Sequence, residues 1–262
     1  MRSIRRVSLC WKINSEVHGE RLKKQVKKLK GLRKALISLC LIVFGIFGYK
    51  HWKSSDEYVR RRVIQISTPK GGCTGVEIKA PSGKIFTLTA GHCAEMLVND
   101  SASAKDEDGV EFVIHKLKID ESVDLMLMTP VGNKSIDVAD KTYLHEHVRT
   151  LTHGAMLPIF RTDGEVLNII KIDVMKFIIN EEHPESDCPK TPWERIEPGL
   201  FGDACIMTLN SQLMSAIIIP GSSGGPAVDD DGRLVGIASN TGGGFISGFV
   251  PLKDIQAFLK GE

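Results

Sequence analysis

Several things are scarce in this sequence, and each scarcity excludes something. Net charge is nearly absent, at +2 over 262 residues, so no global basic surplus points to nucleic acid. No internal repeat and no long low-complexity tract occurs, which removes solenoid and fibrous architectures. No H-E-x-x-H pattern is present. The stretch "HEHVRTLTH" (145–153) puts His145 and His147 on one strand face with no third ligand, and "DDDG" (229–232) lacks the spacing of a calcium loop. No metal and no cofactor is therefore expected. No apolar run reaches the roughly 20 residues that usually span hydrocarbon. The run that comes nearest is "ALISLCLIVFGIFGY" at 35–49.

What is present is ordinary globular composition, 42% hydrophobic and 25% charged, which argues against disorder throughout. The charge is uneven: residues 1–34 carry twelve Lys and Arg against two Glu, and the rest is net acidic. The apolar run follows directly on "RLKKQVKKLKGLRK" and precedes Lys50, His51 and Trp52. Flanking lysines can snorkel and Tyr49 and Trp52 can sit among headgroups, so a short transmembrane anchor over 35–52 is the preferred reading. A cleaved secretory signal would have an unusually long basic region and no small-residue cleavage site after Gly48. A buried core helix would sit against lysines that are hard to bury. The heavier positive charge before the run places the N-terminus in the cytoplasm and the remainder on the other side. Leu22, Val26, Leu29 and Leu32 fit either an amphipathic helix on anionic lipid or a solvated basic helix. Residues 1–34 are then a basic cytoplasmic segment and 53–60 a polar tether.

From residue 61 the period changes. "RRVIQIS", "TGVEIKA" and "KIFTLTA" alternate or run β-branched between "TPKGG" and "PSG". "GVEFVIHKLKI", "VDLMLMTPV", "HVRTLTHGAML", "EVLNIIKIDVMKFII" and "DACIMTLN" continue the pattern, and "AVDDDGRLVGIAS" reads as a hairpin turning at Asp231-Gly232. Only "PLKDIQAFL" is helical, with Leu252, Ile255, Phe258 and Leu259 on one face. Periodicity predicts an all-β sandwich or barrels over 61–262 without choosing between them.

Three motifs carry chemistry. "TLTAGHCAEM" puts His92 after an apolar strand, "DESVDLMLMTP" puts Asp124 before one, and "PGSSGGP" puts Ser223 in a glycine-rich turn between apolar strands. A serine hydroxyl needs a base to take its proton, and imidazole has the matching pKa. The imidazole needs a carboxylate to hold its tautomer. A turn poor in Cβ atoms lets the N–H groups of Gly221 and Ser223 converge on a developing oxyanion. Asp120 competes with Asp124 for the carboxylate role, and Ser222 with Ser223 for the nucleophile.

"TAGHC", "DLMLM" and "GSSGGP", in the order His, Asp, Ser, resemble the trypsin-like serine peptidases of the chymotrypsin fold across residues 61–260. The resemblance implies two six-stranded antiparallel β-barrels with a C-terminal helix, and a cleft between the barrels. His92 and Asp124 would come from the first barrel and Ser223 from the second. It favours Asp124, which directly precedes the apolar strand, and Ser223, which precedes Gly-Gly-Pro. Digestive members carry Asp where this chain has Ser222, so activation by an inserted N-terminal amine is not expected. In that respect, and in "DGRLVGI", the sequence is closer to bacterial Deg-type proteases. "SAIII" (215–219) and "SNTGGGFISG" (239–248) would line the substrate pocket. Ile217 would stand where trypsin-type enzymes carry a carboxylate, which implies apolar specificity. Ser239 would support Asp124, and Ser239, Asn240 and Thr241 would pair with substrate backbone. Cys73 and Cys93 match positions bridged in that family, and Cys188 with Cys205 is a candidate second bridge; Cys10 and Cys40 would stay free. Disulfides agree with a periplasmic or extracellular domain. The expected activity is a membrane-anchored serine endopeptidase acting on a protein or peptide, with membrane lipid as the anchor's partner. The alternative is an inactive protease fold serving as a tethered binding module.

Overall fold

The computed structural model describes residues 55–154, 158–177, 194–199, 202–241, 247–260 and 262, with single positions at 38, 42 and 49. Segments 172–177, 194–199, 202–207 and 240–241 are described by backbone alone. The readings on Cys10, Cys40 and Cys188, on the side chains of Cys205, Asn240 and Thr241, and on most of 1–52 lie outside these residues. Among the described residues no helix is long and apolar enough to cross a membrane.

Six strands make the first barrel: β1 (Val63–Thr68), β2 (Gly71–Lys79), β3 (Ile85–Ala90), β4 (Ser101–Lys105), β5 (Glu111–Asp120) and β6 (Leu125–Met128). They close in the order β1-β2-β3-β6-β5-β4, all antiparallel. Alternation decides what fills it. Ile64 and Ile66, Ala102 and Ala104, Ile114, and Met126 and Met128 form one buried cluster with Cys73 and Cys93. Neighbouring residues on the opposite face, Val63, Val76, Ile78, Leu88, Leu125 and Leu127, belong to a second cluster. That second cluster includes Leu151, Val228, Leu234 and Ile237 of the other barrel. The four residues of β6 are buried on both faces for this reason, which is why "LMLM" reads as an unbroken apolar run.

The second barrel uses β7 (His147–His153), β8 (Ile159–Phe177), β10 (Gly202–Met214), β11 (Pro226–Val228), β12 (Leu234–Thr241) and β13 (Ser247–Pro251). Pairing of β10 with β13 closes these six into a ring, and β9 (Glu194–Gly199) adds to the outer edge of β10. Both six-stranded antiparallel barrels implied by the resemblance are therefore present. The hairpin between β11 and β12 turns over Asp229–Gly232, with Gly232 at φ +76° and its N–H donating to the Asp229 carbonyl at 3.0 Å. Helix α2 (Leu252–Leu259) buries Leu252, Ile255, Phe258 and Leu259, the face read from the sequence.

Two elements depart from the sequence reading. β4, "SASAK", has little β-propensity and is a strand because β1 and β5 flank it and bury Ala102 and Ala104. Residues inside the stretch read as a tether form helix α1 (Asp56–Arg60). Its Ser55 side chain caps the Tyr58 N–H, and Tyr58 and Val59 are buried in the second cluster. Asp56 accepts from Arg149 at 2.8 Å and also from Arg161, tying this helix to β7 and β8.

Cys73 on β2 and Cys93 in the turn after β3 are bridged, with a sequence separation of 20. Closing a loop of that length stabilises by about 3 kcal/mol in the chain-entropy picture. Reduction under native conditions is expected to lower the denaturant midpoint accordingly, read by equilibrium unfolding with and without reductant.

Candidate active site

β3 ends in a 3₁₀ turn, Gly91–Met96, that carries His92, and a second 3₁₀ turn, Glu121–Val123, delivers Asp124 to the start of β6. Asp124 takes a left-handed conformation, φ +56°, which Asp tolerates better than most residues. The two candidate carboxylates are placed differently. Asp120 caps its own turn, accepting from the Ser122 N–H at 3.0 Å and the Ser122 hydroxyl at 2.5 Å. Asp124 faces His92: its carboxylate lies 3.0 and 3.1 Å from Nδ1 and accepts the His92 backbone N–H at 2.7 Å. The Ser239 hydroxyl donates to the remaining side of the same carboxylate. Asp124 is 5% exposed, whereas the His92 ring is half-exposed.

Protein packed around the imidazole opposes its charging. The hydrogen bond and negative charge of Asp124, with a smaller contribution from Glu95, outweigh that, and the His92 pKa lies above its ordinary 6.5.

Ser223 stands in the turn between β10 and β11. Ile219, Pro220, Gly221 and Ser222 form a β-turn closed by the Ser222 N–H on the Ile219 carbonyl at 2.9 Å. Pro220 at its second position and Gly221 at φ +93° at its third give the type II turn. After Ser223 the chain is stitched down: Gly224 N–H donates to Ala238 at 2.7 Å and Gly225 N–H to Ser222 at 2.8 Å. A Cβ on Gly224, where φ is +86°, would collide with the Thr74 carbonyl and the Thr89 hydroxyl, so the run after Ser223 must be glycine. Among the described residues, the N–H groups of Gly221 and Ser223 donate to nothing.

The Ser223 hydroxyl donates weakly to the Ser239 carbonyl, at 3.5 Å, and no hydrogen bond joins it to His92. Ser239 thus touches both Asp124 and Ser223. Ser222 is fully buried, its hydroxyl 3.0 Å from that of Thr152 and accepting the Ile219 N–H at 3.2 Å. It braces the turn from below. Ile217 is 39% exposed, with its carbonyl held by Thr162. Ser247 accepts the Ile218 N–H. Asn240 and Thr241 lie on β12, paired with Gly248 and Ser247. His147 pairs with Asp230 at 2.8 Å. Among the described residues no three His, Cys, Asp or Glu side chains converge on a metal position.

No protein-family model matches the sequence, and no curated protein matches it. Solved structures do. The Rv3671c protease in its inactive form superposes with a TM-score of 0.56 at 15% identity, over 78% of this chain and 91% of that one. A serine-to-alanine variant of Rv3671c from M. tuberculosis H37Rv, also the inactive form, gives 0.55 at 14% identity, over 77% and 86%. The fold is that of the chymotrypsin-like serine proteases. In this chymotrypsin-like fold a cavity of about 450 Å³ opens beside the turn, running from Gln65, Ser67 and Lys70 past Cys73 to Gly154 and Gly221. The motifs single out His92, Asp124, Ser223 and Ser239, which lie together here, but give no sign of Thr74, Thr152 or Thr162, whose hydroxyls bond in and around the same turn. A threonine in a strand carries no local mark of the distant carbonyl or hydroxyl it will meet.

Proposed function

We propose that the protein is a serine endopeptidase working through an acyl-enzyme. Ser223 attacks the scissile carbonyl, and His92 takes its proton and passes it to the leaving amine. Asp124 holds the His92 tautomer, and the Gly221 and Ser223 N–H groups receive the oxyanion. One observation carries this reading: a buried carboxylate bonded to an imidazole, beside a serine in a turn whose two N–H groups are unspent. Ser239 joins the two halves, its hydroxyl on Asp124 and its carbonyl on the Ser223 hydroxyl, and a nucleophile–base bond often tightens only when substrate binds. Ile217 and the backbone of Ser239, Asn240 and Thr241 would receive the acyl side of the peptide, with an apolar residue before the scissile bond. The cavity at Gly221 would receive the leaving side. The Cys73–Cys93 bridge agrees with a domain outside the cytoplasm, held there by the anchor at 35–52.

The test is a fluorophosphonate probe on the full-length chain. Labelling that disappears in Ser223→Ala supports the enzyme. A second reading, an inactive protease fold used for binding, draws on the missing bond between His92 and Ser223. Folded wild-type protein that takes no label would favour it.

Because His92 must be neutral to act as base, and its pKa is raised, kcat/KM is expected to fall on acidification with a midpoint above pH 6.5. A pH–rate profile whose acid limb lies below 6.5 would contradict this.

A further inference from the structure

The N–H of Gly221 can serve an oxyanion only if its turn is held one way round. Gly221 has no Cβ and φ is +93°, so the peptide before it can rotate at little steric cost. Thr74 bonds the peptide that follows, and so anchors the Gly221 Cα from which that N–H projects. Thr74 is fully buried on β2, in the first barrel. Its hydroxyl donates to the Gly221 carbonyl at 2.9 Å and accepts the His153 N–H at 3.0 Å. Its backbone N–H donates to the Ser223 carbonyl at 2.8 Å, and its own carbonyl accepts from Thr89, on the strand that leads to His92, at 2.7 Å.

The peptide between Gly221 and Ser222 is consequently bonded at both ends. Thr74 grips its oxygen, and its N–H is on Ile219. The two ends of the Gly221–Ser223 turn are gripped by one residue of the other barrel. A hydroxyl carries one proton. The 2.9 Å contact to Gly221 is shorter than the 3.3 Å contact to the His153 carbonyl, so that proton belongs to Gly221.

Resting on the serine-peptidase reading, we infer that Thr74 is a positioning residue. Its side-chain hydroxyl, reaching from the first barrel, locks the Gly221 turn of the second in the orientation that stabilises the transition state. The residue touches no substrate. It acts through the Gly221 carbonyl.

The experiment compares wild type, Thr74→Val and Thr74→Ser in the full-length chain. Valine keeps the shape and removes the donor; serine keeps the donor. Thr74→Val is expected to lower kcat about 10- to 100-fold, below the 10²–10³ cost of losing an oxyanion donor outright, with KM within about threefold. A peptide boronic acid, which forms a tetrahedral adduct, should lose affinity in parallel with kcat. A non-cleavable peptide amide bound in the ground state should not. Thr74→Ser should recover most of both. A general packing defect would not separate the two ligands in this way. Wild-type kcat in Thr74→Val, equal weakening of both ligands, or failure of serine to rescue would overturn the inference. Should Thr74→Val not fold, Thr74→Ala takes its place with the same readouts. If neither folds, Thr74 is a folding residue and the inference falls. Wild type that neither hydrolyses peptides nor takes the fluorophosphonate would instead remove the underlying reading.

Discussion

Ser223→Ala is expected to lower kcat on a peptide substrate by about a million-fold, leaving KM within a few-fold. The size follows from the geometry of the alternatives. Ser222 is the adjacent hydroxyl, but it is fully buried and spent on Thr152 and the Ile219 N–H. It cannot turn to the cleft without breaking both bonds. The residual rate would come from the unspent Gly221 and Ser223 N–H groups acting on attack by water. Steady-state hydrolysis, with burst kinetics to detect the acyl-enzyme, measures it. A Ser223→Ala protein retaining even one part in a hundred of the wild-type rate would mean that the nucleophile is elsewhere.

Asp124→Asn should lower kcat by about 10⁴-fold without unfolding the domain. An amide in place of the carboxylate presents an N–H toward His92 Nδ1, selects the other tautomer, and leaves Nε2 protonated and unable to accept from Ser223. It also removes the acceptor for the His92 backbone N–H or the Ser239 hydroxyl, whichever meets the NH₂ end. With the negative charge gone, the main support for the raised His92 pKa goes too. The acid limb of kcat/KM should therefore move to lower pH in whatever activity remains. Asp120→Asn is the contrast: it disturbs only the turn at Ser122 and should cost less than tenfold. Equal losses from the two substitutions would assign the carboxylate role wrongly here.

Much of the site was legible because its chemistry is carried by short local strings. "TAGHC" and "GSSGGP" each place one reactive side chain at a strand end, and their chain order narrows the fold. The face of α2 was legible for a similar reason: Leu252, Ile255, Phe258 and Leu259 recur at helical spacing, and burial follows that spacing. The strand "SASAK" was not, because small polar residues state no preference and its pairing with Gln65–Ser67 comes from some forty residues away. Helix α1 was missed because five residues are too few to show a period, and its place is settled by contacts with Ser135, Arg149 and Arg161.

The linear string determined which groups are available: a hydroxyl, an imidazole, two candidate carboxylates, and a glycine turn free of Cβ atoms. Tertiary structure alone decided which carboxylate turns inward, through the left-handed backbone at Asp124, and which serine is buried. It also decided that a threonine 147 residues away holds the turn. The reason is one of range. Periodicity and turn chemistry act over a few neighbours, whereas a hydrogen bond between two barrels exists only after both have closed.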